Sequence, residues 1–62
     1  MRKTYYLLVA DKGEVFIYTL SAPDRVFAEE YAADLLKENH GDRFAIENPG
    51  SFQLQEKNSE NI

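Results

Sequence analysis

Residues 21–41 read SAPDRVFAEEYAADLLKENHG. The stretch predicts one amphipathic helix with a start, a stop and a single apolar stripe. Ser21 is the expected N-cap, its hydroxyl placed to accept from an orphan backbone N–H of the first turn. Asp24 stands three residues on, a short-armed version of the capping box. Pro23 falls in the first turn, where its missing N–H removes no helical bond. Asp24, Glu29 and Glu30 lie toward the positive end of the helix dipole, and Lys37 and His40 toward the negative end. Gly41 suits the closing position. Phe27, Ala28, Tyr31, Ala32, Leu35 and Leu36 share one side at helical spacing. The two alanines predict close approach to a sheet, with Phe27, Tyr31 and Leu35 supplying the bulk.

On the N-terminal side, residues 4–10 (TYYLLVA) and 14–20 (EVFIYTL) read as strands, rich in aromatic and branched types. Asp11-Lys12-Gly13 joins them. A three-residue loop with Gly13 at its left-handed position pairs Val9 with Val15, Leu8 with Phe16, Leu7 with Ile17 and Tyr6 with Tyr18. One face of the hairpin then carries Tyr5, Leu7, Val9, Val15, Ile17 and Thr19. The other carries Tyr6, Leu8, Phe16, Tyr18 and Leu20. A two-residue Lys12-Gly13 turn sets Asp11 against Glu14, a like-charge pair, and mixes the two faces.

On the C-terminal side, residues 43–47 (RFAIE) read as a half-buried strand. Asn48-Pro49-Gly50-Ser51 is a turn with Pro and Gly where type II requires them. Residues 51–55 alternate as a further strand, and from Glu56 the chain is polar and unpatterned. The expected fold is α+β: a ββαββ chain forming a four-stranded antiparallel sheet, spatial order 2-1-3-4, with the helix packed on one face. Residues 1–55 form the single domain and 56–62 a flexible tail.

Sixty-two residues without cysteine leave a marginal core and neither a disulfide nor a thiolate metal site to reinforce it. That favours self-association. The apolar run at the N-terminus is too short for a signal peptide or a membrane span, so a soluble cytoplasmic protein is expected. Eleven acidic against seven basic side chains give a net charge of −4, which argues against nucleic-acid binding.

One helix covers one sheet face. The expectation is that the aliphatic set (Leu7, Val9, Val15, Ile17) lies under it and the aromatic set (Tyr6, Leu8, Phe16, Tyr18) stays open as a protein interface. A two-fold homodimer is the commonest form such a surface takes. Glu30, Asp34 and Glu38 recur every four residues as an acidic ridge, a second candidate surface for a basic partner. His40 is the lone histidine, read as a cation at the helix end. No catalytic constellation, phosphate-cradling loop, cofactor site or metal-ligand spacing is present in the sequence, so an enzyme is not expected. The size, acidity and strand–strand–helix–strand plan resemble small phage and mobile-element proteins that bind and inhibit a host enzyme, an analogy carried by no motif. The sequence thus predicts a non-enzymatic interaction module acting through the aromatic face. The alternative is an acidic inhibitor that blocks a basic site through its helix.

Overall fold

Lys12 and Gly13 both take positive φ, +55° and +81°, the mark of a two-residue type I′ turn. This turn sets the register of the whole sheet. In the computed structural model, which describes residues 1–57, the elements are β1 (Lys3–Asp11), β2 (Glu14–Ala22), α1 (Arg25–His40), α2 (Phe44–Glu47) and β3 (Phe52–Glu56). The sheet is antiparallel, three-stranded and ordered β2-β1-β3.

Asp11 lies opposite Glu14, Val9 opposite Phe16, Leu7 opposite Tyr18 and Tyr5 opposite Leu20. The expected three-residue loop is therefore corrected to a two-residue one, and β2 is inverted relative to that expectation. The like-charge objection fails because Asp11 is already engaged: His40 Nδ1 sits 2.7 Å from its carboxylate. Glu14 faces water.

The inversion puts Tyr5, Leu7, Val9, Phe16, Tyr18, Leu20 and Ala22 on the helix side. Tyr5, Leu7, Val9, Leu20 and Ala22 are buried there with Ala28, Ala32, Leu36 and Phe44, and Phe16 and Tyr18 pack against them half-buried. Leu7 and Val9 lie under the helix as expected, whereas Val15 and Ile17 do not. The helix also rolls further than its stripe suggests. Its small residues point inward, Leu35 is half-buried, and Phe27 and Tyr31 remain 43% and 38% exposed. Large side chains from the sheet already fill the interior, so the helix contributes alanines and lies close.

The start of α1 differs from expectation, and its stop at Gly41 does not. The N-cap is Asp24, whose Oδ1 accepts from Phe27 N at 3.2 Å. Ser21 instead belongs to β2, paired with Thr4. At the C-terminal end Gly41 takes φ +110°, and its N–H donates to the Lys37 carbonyl at 3.2 Å.

The expected third strand at Arg43–Glu47 is a single helical turn, α2. A strand would bury Phe44 and Ile46 together, but only Phe44 is buried. Arg, Ala and Glu favour helix here, and Arg43 Nε bonds Glu47 one turn on at 3.1 Å. The Asn48 backbone and side-chain N–H groups both donate to the Phe44 carbonyl. The final strand, β3, then takes the place beside β1, with Leu7 opposite Leu54 and Leu8 opposite Gln53. Order 2-1-3-4 with four strands is corrected to three. The expected tail from Glu56 is also shortened: Glu56 ends β3, and Lys57 N donates to the Thr4 carbonyl at 2.8 Å. The rest of the expected tail lies outside the described residues.

Candidate interaction surface

The face away from the helix is built by residues alternating with the core. From β1 come Thr4, Tyr6, Leu8 and Ala10, from β2 Val15, Ile17, Thr19 and Ser21, and from β3 Gln53 and Gln55. No residue in this set is charged. Val15 is 71% and Ile17 65% exposed, beside half-buried Tyr6 and Leu8. Tyr6, Leu8, Ile17 and Gln55 line a shallow depression at its centre. A solvated antiparallel sheet normally turns polar on such a face. Here β3 does so and the hairpin does not.

The structure thus keeps Tyr6 and Leu8 on the open face and moves Phe16 and Tyr18 beneath the helix. Val15 and Ile17 take their place. The open surface is aliphatic with one aromatic ring rather than an aromatic platform. The sequence signal was the turn: Lys-Gly supports two positive-φ residues, and that choice alone decides which β2 side chains are outside.

Phe16 and Tyr18 instead join an internal cluster around His40. The Tyr18 hydroxyl lies 2.9 Å from His40 Nε2, and His40 Nδ1 lies 2.7 Å from Asp11 Oδ2. Phe16 meets the imidazole edge-on at a centroid distance of 5.0 Å, and Phe44 lies 5.1 Å away. Because the carboxylate accepts, Nδ1 carries a proton. Nε2 then accepts from the tyrosine when the ring is neutral, or donates to it when charged. His40 is therefore more than the cation at the helix end that its position suggests, since its ring ties α1 to both strands of the hairpin. Asp–His–hydroxyl is also the order of a nucleophile relay. Here the imidazole is walled by rings, its side chain is only 2% exposed, and both of its nitrogens are already engaged by Asp11 and Tyr18.

Glu30, Asp34 and Glu38 are all exposed on α1, and none forms an ion pair among the described residues. Within the same residues no group of three or more His, Cys, Asp or Glu is placed to hold a metal. Among the described residues no buried side-chain polar atom lacks a hydrogen-bond partner. No described helix is long and apolar enough to cross a membrane. No family model matches the chain, and neither the curated proteins nor the solved structures with which it was compared yield a match.

Proposed function

We propose that this domain is a non-enzymatic protein-interaction module that binds through the open face of its sheet. The observation that carries the reading is the exposure of Val15 and Ile17 beside Tyr6 and Leu8 on a face whose strand residues carry no charge. Apolar, charge-depleted patches of this kind mark the cores of protein interfaces. A chain of this size gains stability whenever such a surface is covered.

The acidic ridge, without an ion pair among the described residues, supports a second reading, an inhibitor that docks Glu30, Asp34 and Glu38 on a basic site of another protein. Salt and mutation separate the two. Affinity capture from the native cell and sedimentation of the purified chain are run with wild type, Leu8→Glu and Asp34→Lys. The face reading expects association, with self or with a captured protein, that survives high salt and Asp34→Lys and is lost in Leu8→Glu. Loss in Asp34→Lys and at high salt alone assigns binding to the ridge. Absence of both kinds of association overturns the module.

A further inference from the structure

The two edges of the sheet are protected unequally. In an antiparallel ladder, alternate residues turn their backbone groups to opposite sides. The turn closes on Asp11 and Glu14, so Glu14, Phe16, Tyr18, Leu20 and Ala22 bond to β1. Ala10 N donates to the Ser51 carbonyl and Lys57 N to the Thr4 carbonyl, both at 2.8 Å, which fixes the same alternation on the β3 side. On the outer edge of β3, Arg25 Nη2 from α1 donates to the Leu54 carbonyl at 3.0 Å, and that strand is short. On the outer edge of β2 the outward groups belong to Val15, Ile17, Thr19 and Ser21. Arg2 closes only the last, with Nη2 donating to the Ser21 carbonyl at 2.6 Å and Nε to its hydroxyl at 2.9 Å.

Among the described residues Val15, Ile17 and Thr19 remain, an open run bounded by the turn at one end and Arg2 at the other. It holds no Lys, no Pro and no bulge, the usual devices that blunt an edge. We propose that β2 is a homodimerisation edge: two copies pair β2 against β2, antiparallel, about a two-fold axis at Ile17. Ile17 then faces its own counterpart, and Val15 of each copy faces Thr19 of the other, so all three residues both donate and accept across the axis. The result is one continuous six-stranded sheet with both helices on the same side.

Three observations select a second copy as the occupant. The open run is symmetric about Ile17, so it is complementary to itself. It carries no charge, so no like charges of the two copies face each other along the paired run. Exposed apolar side chains also gather around this edge. Val15 and Ile17 lie below it, and Phe27 and Tyr31 lie on the flank of α1 opposite Arg25 and Glu29, and so toward β2. The inference goes beyond the open-face reading: the edge pairs through backbone groups of β2 and not through Leu8, so a dimer that survives substitution of Leu8 belongs to the edge, and one lost with Leu8 belongs to the face.

Sedimentation velocity from low to high micromolar concentration tests it. Wild type is expected to reach twice the subunit mass. Ile17→Lys places like charges on the axis, and Thr19→Pro removes an outward N–H that a single subunit does not use. Both are expected to stay monomeric with unchanged circular dichroism, while Leu8→Gln still dimerises. Backbone amide exchange of the wild type asks the same question without a substitution: Ile17 N–H is expected to slow as concentration rises. A wild type monomeric throughout overturns the edge. So does a dimer that survives Ile17→Lys and Thr19→Pro but is lost in Leu8→Gln, although that result upholds the open face as a binding surface. Partner capture through Leu8 by a monomeric wild type likewise overturns only the edge.

Discussion

His40, the last residue of α1, holds Asp11, the last residue of β1, through a 2.7 Å contact between Nδ1 and Oδ2. The same ring reaches Tyr18 on the other side at 2.9 Å. One side chain therefore locks the helix end to both strands at the hairpin tip. His40→Ala leaves the Asp11 carboxylate and the Tyr18 hydroxyl without their partner and opens a gap between Phe16 and Phe44. The expected loss is about 1–3 kcal/mol, the cost of unsatisfied polar groups in a partly buried site. Asp11→Asn keeps an oxygen that accepts from Nδ1–H and removes the repulsion with Glu14, so it is expected to cost at most about 1 kcal/mol. Urea unfolding followed by circular dichroism ranks the pair. Losses near zero in both variants would mean that the contact contributes as little as an exposed ion pair.

The register makes neighbouring residues of β2 behave oppositely. Ile17 is 65% exposed, and a substitution such as Ile17→Thr is expected to leave the stability of a single subunit within about 0.5 kcal/mol. Phe16 packs edge-on against His40 at 5.0 Å and lies parallel to Tyr18 at 6.5 Å. Phe16→Ala is expected to cost about 2–4 kcal/mol, toward the lower part of the range for aromatic truncation because the ring is only half-buried. Thermal melts at a concentration that keeps the chain monomeric read this directly. The opposite ordering would restore the three-residue loop.

Much of the fold was legible because local signals were strong. The 3.6 periodicity between Arg25 and His40 and the two apolar runs before it gave α1, β1 and β2 nearly to their ends. What was misread depended on tertiary context. Asp11 opposite Glu14 looked prohibitive until His40, distant in sequence, proved to occupy the aspartate. Phe27 and Tyr31 looked like core because they were large, whereas the sheet had already filled the interior with Tyr5 and Leu7. Phe44 and Ile46 alternate as in a strand, but Gly41 and Pro49 leave room for one turn of chain between them, and one helical turn satisfies more of its backbone. For the open face, apolar character was readable and its membership was not. Tyr6 and Leu8 belong to it on either register, while β2 contributes whichever half the turn assigns.

The turn itself tolerates only particular backbones. Gly13 sits at φ +81° with open space where a Cβ would be placed, so Gly13→Ala meets no neighbour and pays only for the left-handed conformation, about 1 kcal/mol. Lys12 holds φ +55° without the help of glycine or asparagine. Lys12→Asn supplies the residue that type I′ turns favour at that position, and is expected to raise stability by a few tenths to about 1 kcal/mol. Chemical denaturation of the two variants gives the signs. A stabilising Gly13→Ala would exclude a type I′ turn here.

Leu35 and Leu36 give the most direct reading of how α1 is rolled on the sheet. Leu36 is buried with Leu7 and Ala32 in one cluster, while Leu35 packs at its margin, half-exposed. Both lie mid-helix, so an alanine at either position has the same intrinsic effect on helix formation. Any difference between them reports burial. Leu36→Ala is expected to cost about 3 kcal/mol, a large share of the stability of a domain of this size, because the alanines already beneath the helix cannot close the gap. Leu35→Ala is expected to cost about 1 kcal/mol and to remain cooperative, since water replaces the lost methyl groups on one side. Differential scanning calorimetry at equal concentrations separates the two. A larger loss at Leu35 would roll the helix back, carrying Phe27 and Tyr31 into the core and removing their exposed flank from the β2 edge.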